Sequence, residues 1–270
     1  MARSRTRNVL ARRIEPGTAG RGPEAVLVEE PMEVRLGDRT MTTTMRTPGH
    51  DYELAAGWCW AEGLLEGRTV REIRYCATGS AVDTGFNVVT VQVDGPPVEE
   101  APRLTTASSS CGICGSTSVD DLVERLVPLP VPAGPFDATV LASLGDAVRE
   151  GQELFDATGG SHAAAACTRA GLPLVVREDI GRHNAVDKVV GRLLLAGDLP
   201  ASGMVLWVSG RASFEMVQKA WAAGFGALVS VSAPSSLAVD LAHRAGMVLA
   251  GFARDGRLTV FAGEELVAGG

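Results

Sequence analysis

The chain has 270 residues, more than one typical domain and fewer than two full ones. Its 25 basic and 32 acidic side chains give a net charge of −7, and 46% of its residues are hydrophobic. That much apolar material excludes disorder, collagen and a disulfide-stapled miniprotein for the bulk of the chain, and no apolar run approaches the roughly 20 residues of a membrane span.

The charge is unevenly spread. Residues 1–22 hold six arginines against the single acid Glu15, a net +5, which leaves −12 for the rest. An acidic body argues against nucleic acid as a partner, because neutralising phosphates needs a basic face. The arginine-rich segment lacks the apolar core of a secretory signal, so cytoplasmic residence is expected, and a charge block of this kind reads as a disordered, solvated arm over residues 1–22.

From Glu24 the pattern turns strand-like at Val26, Val28, Val34 and Leu36 and again over residues 40–46. Pro48-Gly49 is a turn signal, Asp51 is placed to cap a helix over 52–65, and Leu54, Trp58, Ala61 and Leu65 recur at helical spacing. Strands are expected at 70–76 and 86–93, then a Ser/Gly loop carrying Cys111-Gly112-Ile113-Cys114 and a short helix at 119–126. Pro128, Pro130, Pro132 and Pro135 make a stiff connector. The expected organisation is therefore a small α+β domain over 23–130 that ends with the CxxC loop, and an α/β domain over 131–270.

In the second part a helix capped by Asp137 is expected over 138–155, with strands at 162–168 and 172–177. Helices at 185–196, 214–223 and 237–245 alternate with strands at 204–208, 227–231 and 247–252, and a last strand follows at 258–261. Continuous apolar strands alternating with helices imply parallel neighbours buried on both faces.

The CxxC pair is the sharpest chemical feature. In a reducing compartment it points to metal, redox or nucleophilic thiol chemistry, unless the two cysteines are incidental. A structural zinc site needs four ligands. Cys59, Cys76 and Cys167 are isolated and read as buried, and the histidines show no ligand spacing, so no metal site is expected. Three loops of small polar residues feed helix N-termini: Gly181-Arg182-His183-Asn184, Ser209-Gly210-Arg211-Ala212-Ser213 and Ser232-Ala233-Pro234-Ser235-Ser236. Free N–H groups there favour anions, and Arg211 adds a fork suited to phosphate; Asn184, Ser213 and Ser236 are equally ordinary helix caps. His183 reads as a structural histidine or a proton carrier. Phe252-Ala253-Arg254-Asp255-Gly256-Arg257 sets two arginines around a glycine turn, as a plain hairpin or as an anion- or purine-contact loop.

Several of these segments together resemble the formate dehydrogenase accessory sulfurtransferase family, FdhD. They are Ser110 to Gly115 with its two cysteines, Arg46 to Asp51, Asp179 to Lys188, and Ser209 to Glu215. The resemblance runs from about Glu24 onward and implies a cytidine deaminase-like α/β C-terminal domain behind a smaller α+β domain. It implies transfer of sulfur, received as a persulfide from a cysteine desulfurase, to the bis(molybdopterin guanine dinucleotide) molybdenum cofactor of formate dehydrogenase. By motif, Cys111 carries the persulfide and Cys114 assists transfer or resolution. Phe252, Ala253, Arg254, Asp255, Gly256 and Arg257 match the cofactor-binding segment, and Arg211 and His183 are further candidates to hold its phosphates. The formate dehydrogenase apoenzyme and a second copy in a homodimer are the implied partners. The deaminase zinc signature is absent from the sequence, so deamination does not carry over. A cofactor-binding chaperone without sulfur chemistry and a zinc-binding scaffold are the alternatives.

Overall fold

A computed structural model describes residues 3–65, 67–76, 80–95 and 126–269. The CxxC pair Cys111 and Cys114, and the helix expected from residue 119, fall within 96–125 and lie outside the described residues.

The architecture is mixed α/β. Strands β1 (Thr6–Glu15) and β2 (Thr18–Leu27) pair antiparallel around Pro16 and Gly17. This corrects the reading of residues 1–22 as a disordered arm. Thr6, Val9 and Ile14 have the β-branched side chains of a strand, and Gly17 at φ 83° closes a two-residue loop that the charge-block argument overlooked. The ribbon is rooted at its base, where Val28 N donates to Arg5 O (3.0 Å) and Arg3 bonds Glu30 and the Asn87 side chain.

Strands β3 (Glu30–Leu36), β4 (Arg39–Arg46), β5 (Val70–Tyr75) and β6 (Val88–Val93) form a four-stranded sheet in the order β4-β3-β6-β5. Helix α1 (Asp51–Ala61) covers it, burying Leu54, Ala55 and Cys59 against Met32, Val34 and Val91. Asp51 begins this helix rather than capping it; His50, in the left-handed region at φ 57°, is the cap residue, and its side chain makes no capping bond.

The larger sheet is built from β8 (His162–Cys167), β9 (Pro173–Asp179), β10 (Val205–Val208), β11 (Ala227–Ser230), β12 (Val248–Arg254) and β13 (Arg257–Ala262), in the order β13-β12-β11-β10-β8-β9. The central strands β10, β11 and β12 are parallel as expected, whereas β8, β9 and β13 join antiparallel. Alternate residues feed two cores. Leu206, Val208, Leu228 and Leu249 face helices α4 (Arg182–Ala196), α5 (Phe214–Ala222) and α6 (Ser236–Ala245). Val205, Trp207, Val229 and Val248 face helix α2 (Ala138–Arg149), which Asp137 caps as expected. Short strands β7 (Phe136–Asp137) and β14 (Val267–Ala268) pair beside it. The helix expected over 138–155 is two helices, α2 and α3 (Glu153–Thr158). Gly151 breaks it where a Cβ would come within 2.9 Å of Val176, and the buried Glu178 carboxylate accepts Leu154 N (2.7 Å) and Phe155 N (2.8 Å) to start α3.

The two sheets are locked through α1 and α4, which approach backbone to backbone. A Cβ on Gly57 would lie 1.9 Å from Asp187 O, and one on Gly191 would lie 1.8 Å from Glu53 O, so only glycine fits at either position. Polar groups complete the lock. Lys188 Nζ sits 2.7 Å from Asp179 Oδ2 and donates to Thr47 O (3.0 Å), while Asp179 also accepts Thr47 N, Gly181 N and Asn184 Nδ2. Arg46 pairs Asp51 through two bonds of 3.1 and 2.9 Å, and Lys219 pairs Asp187 at 2.7 Å.

Candidate anion site at the carboxyl edge of the parallel strands

In an open α/β sheet, ligands gather beyond the carboxyl ends of the parallel strands. Here three loops leave β10, β11 and β12 on one edge and are laced together. The Ser230 hydroxyl lies 2.8 Å from both Gly210 O and Ser232 O, Ser235 N donates to Ala212 O (3.0 Å), and Phe252 N donates to Ser232 O (3.2 Å). Gly251 is required by this lacing, since a Cβ would lie 2.9 Å from Ser232 O.

The segment 252–257 is a bulge followed by a tight turn. Register slips by one residue between Gly251 and Arg254, with Phe252 in the left-handed region at φ 54° and 45% exposed. Such a bulge re-aims a side chain at the end of a strand, and a non-glycine residue held there costs of order 1–2 kcal/mol. Asp255 (φ 53°) and Gly256 (φ 70°) then form a two-residue hairpin loop of the Asp-Gly kind, which sets Arg254 directly opposite Arg257. Both arginines are exposed. A groove of about 700 Å³ between this turn and α2 is lined by Phe252, Arg254, Gly256, Arg257 and Thr139. A second groove of about 550 Å³ is lined by Ala253, Asp255, His162, Ser209 and Arg149, and Arg254 borders both.

The other candidates divide. Arg211 is exposed in the loop after β10. His183 is engaged: its Nε2 lies 2.5 Å from Glu215 Oε2, bridging the first turns of α4 and α5. Burial alone would push the Glu215 carboxyl up, but the bond and charge from His183, with Lys219 and Arg182, hold it below its ordinary range. The loop residues read as helix caps need correcting. Gly181 is the cap residue of α4, while Asn184 is buried and donates to Met45 O (2.8 Å) and Asp179. Ser213 holds the cap position of α5 without a capping bond, and Ser235, not Ser236, caps α6 by accepting Ala238 N (3.2 Å).

Two residues that sequence reasoning missed stand at this edge. His162 opens β8, its Nδ1 3.5 Å from Ser209 Oγ, and burial, Arg182 and His183 all press its imidazole below its ordinary value toward the neutral form. Arg182 runs alongside Gly210, where a Cβ would lie 3.7 Å from its Cδ, and its Nε has no partner among the described residues. Arg182 was visible within its motif; His162 lies in a run of alanines and carries no pattern. Cys59, Cys76 and Cys167 are buried as expected, and burial pushes the Cys167 thiol up to about 12, so it is not a ready nucleophile.

Residues 27–268 match the model of the FdhD/NarQ family. The chain is 46% identical over 264 residues to the sulfur carrier protein FdhD of Streptomyces avermitilis, covering 95% of this chain and 93% of that one. It is 47% identical over 265 residues to that of Streptomyces coelicolor, with the same coverage. It is 48% identical over 256 residues to that of Nocardia farcinica, covering 93% and 91%. A crystal structure described as a formate dehydrogenase accessory protein, from Desulfotalea psychrophila, superposes with a TM-score of 0.77 at 26% identity, covering 98% of this chain and all of that one. Matching nearly its full length to proteins of one family, the chain belongs to the FdhD/NarQ family.

Proposed function

We propose that this protein is a sulfur carrier that accepts sulfur from a cysteine desulfurase as a persulfide on Cys111 and delivers it to the bis(molybdopterin guanine dinucleotide) molybdenum cofactor destined for formate dehydrogenase. Relatives named sulfur carrier proteins at 46–48% identity support the sulfur chemistry. The observation that carries the cofactor side is the 252–257 turn, whose two exposed arginines stand opposite each other at a groove on the ligand edge of the sheet. Guanidinium forks there suit the pyrophosphates of a guanine dinucleotide, and the exposed Phe252 ring offers a face for the base. The same reading takes residues 23–130 and 131–270 as two domains and the second as cytidine deaminase-like, which helices on both faces of the larger sheet support.

The sulfur steps balance without an added oxidant. The Cys111 thiolate attacks the outer sulfur of the desulfurase persulfide, forming Cys111–S–SH and returning the donor cysteine as thiolate. The Cys114 thiolate then attacks Cys111 Sγ, releasing hydrosulfide to the cofactor and leaving a Cys111–Cys114 disulfide. A cellular dithiol reduces that disulfide. The cofactor is the substrate here, and the protein's task is to hold its nucleotide arms while the sulfur arrives.

Mass spectrometry after incubation with a desulfurase and cysteine tests the reading. One sulfur atom added at Cys111, and none on Cys111→Ala, is the expected result. Sulfur that never appears on Cys111 overturns it, and a Cys111→Ala protein that still yields active formate dehydrogenase identifies a chaperone instead.

A further inference from the structure

Two grooves meet at the 252–257 turn, and Arg254 borders both. The proposed nucleotide site is the first. The second, about 550 Å³, falls within the roughly 300–1,000 Å³ of small-molecule sites. One of its walls is the face of α2 on which Ala142, Gly145 and Asp146 fall at helical spacing, and the two small residues leave that wall flat. The opposite wall carries an unpaired donor. Trp207 lines the groove from β10 and is only 3% exposed, and its indole Nε1 has no hydrogen-bond partner among the described residues. A buried donor left unpaired is costly, so it points to a partner that arrives from outside. A Cβ on Gly145 would lie 3.8 Å from both Nε1 and Cζ2 of this ring; with glycine there, α2 puts no side chain over the N–H. Beside Trp207, Ser209 Oγ accepts Ala163 N (2.9 Å), which turns its proton toward His162 Nδ1 at 3.5 Å. His162 is pressed toward the neutral form by its burial, so Nδ1 accepts and Nε2 carries the proton as a second donor. Asp146 is exposed, and its carboxylate has no partner among the described residues.

We propose that the second groove is a subsite for the pterin end of the molybdenum cofactor, where Trp207 and His162 donate to the ring and Asp146 accepts from it. A pterin is flat and carries an amino-oxopyrimidine edge: a carbonyl oxygen, a ring N–H and an amino group in a row. Indole and imidazole N–H groups suit the two lone pairs of the carbonyl, and a carboxylate suits the paired N–H donors beside it. The layout of the grooves matches the ligand as well. Its pterin and its guanosine are joined through a pyrophosphate, and the residue where the two grooves meet is an arginine, whose fork suits that group. The inference rests on the cofactor reading of this edge and extends it from the nucleotide to the pterin. Guanine presents the same edge as pterin, so the ring chemistry is shared and the experiment must separate the two sources.

The probe is hydroxymethylpterin, a free ring without phosphates, titrated into the full-length protein and followed by the anisotropy of its own fluorescence. The expected result is saturable binding that Trp207→Phe and Asp146→Asn each weaken about tenfold. Lumazine, which has a carbonyl where pterin has the amino group, binds at least about tenfold more weakly, and Asp146→Asn removes that preference. Trp207→Phe forfeits no hydrogen bond among the described residues, and Asp146 is exposed. As a third variant, Gly145→Leu replaces a helix-weakening glycine, sets a side chain beside the indole and blocks the ring. Thermal melting confirms that the variants fold, and their affinity for GDP by calorimetry stays that of the wild type. Pterin that fails to bind while GDP binds, or pterin binding that all three variants leave unchanged, overturns the subsite alone. Displacement of the pterin by GDP shows that the groove reads guanine and overturns it too. If neither ligand binds the wild type, the cofactor reading of this edge falls and the subsite with it.

Discussion

Lys188→Met is the substitution that most directly probes how the two sheets are held together. Lys188 and Asp179 are fully buried, and the ammonium sits 2.7 Å from Asp179 Oδ2 while donating to Thr47 O (3.0 Å) and Glu178 O (3.2 Å). Methionine fills similar volume, so the loss is electrostatic: a buried carboxylate without its counter-charge and two carbonyls without that donor. Breaking one side of a buried pair costs about 3–5 kcal/mol. Three N–H donors remain on Asp179, from Thr47, Gly181 and Asn184, which places the expected cost near the lower end, about 3 kcal/mol. That is a large share of the roughly 5–15 kcal/mol that holds a native domain together. Urea unfolding at pH 7 followed by circular dichroism reads it. Asp179→Asn removes the charge that Lys188 neutralises, so the two substitutions couple, and the double variant is more stable than the sum predicts by about 1–3 kcal/mol. A cost below about 1 kcal/mol for Lys188→Met, or strict additivity with Asp179→Asn, refutes the claim that this pair locks the sheets.

Gly57→Ala drives a methyl to 1.9 Å from Asp187 O and pushes α1 off α4, lowering stability by about 3 kcal/mol or preventing folding; an unchanged melting temperature would show that the helices are not in backbone contact. Burial first, then Arg177, lowers the His50 imidazole to about 4. The native state therefore keeps His50 neutral while the unfolded chain takes up a proton below about 6.5, so stability is lost as pH falls from 6.5 toward 4. His50→Asn, which tolerates the left-handed backbone, flattens that decline in melts compared at pH 7 and 5; an unaltered slope removes His50 as its source. Phe252→Gly relieves the left-handed strain at φ 54° but gives up the ring's contact with Phe261 (centroids 6.2 Å apart), so melting stays nearly unchanged while guanine nucleotide binding weakens about tenfold by calorimetry. Undiminished affinity excludes Phe252 from the site.

The parallel core was legible because Val205–Val208 and residues 227–229 are apolar runs, as strands buried on both faces must be. The same logic could not separate them from β8, whose His162–Cys167 is equally apolar but joins antiparallel, because direction depends on what connects the strands. Motifs were visible and their roles were not. Arg46, Asp51, Asp179, Asn184 and Lys188 have the residue types of an anion site, yet they are spent on one another, and Asn184 and Lys188 also donate to Met45 O and Thr47 O, 139 and 141 positions away. No local pattern announces a partner that far away. The bulge at Phe252 was equally hidden, since nothing in Phe-Ala-Arg marks a left-handed residue. The ribbon was misread for the opposite reason: a charge count outweighed a visible turn signal, Pro16-Gly17, with the β-branched Val9 and Ile14 before it.

This division of the cations bears on how an acidic protein meets a polyanion. Arg46, Lys188 and Lys219 are buried and paired with carboxylates, so they contribute almost no field outside the molecule. His183 is held by Glu215, and His162 is pressed toward neutrality by burial first and by Arg182 beside it. Arg211, Arg254 and Arg257 remain exposed on loops that leave neighbouring parallel strands, and Arg182 reaches the same edge with a donor to spare. Because screening limits exposed charges to a reach of about 8 Å in the cell, a phosphate at this edge responds to those few guanidiniums rather than to the net −7. The placement of single arginines, rather than the net charge, therefore governs what binds at the sheet edge.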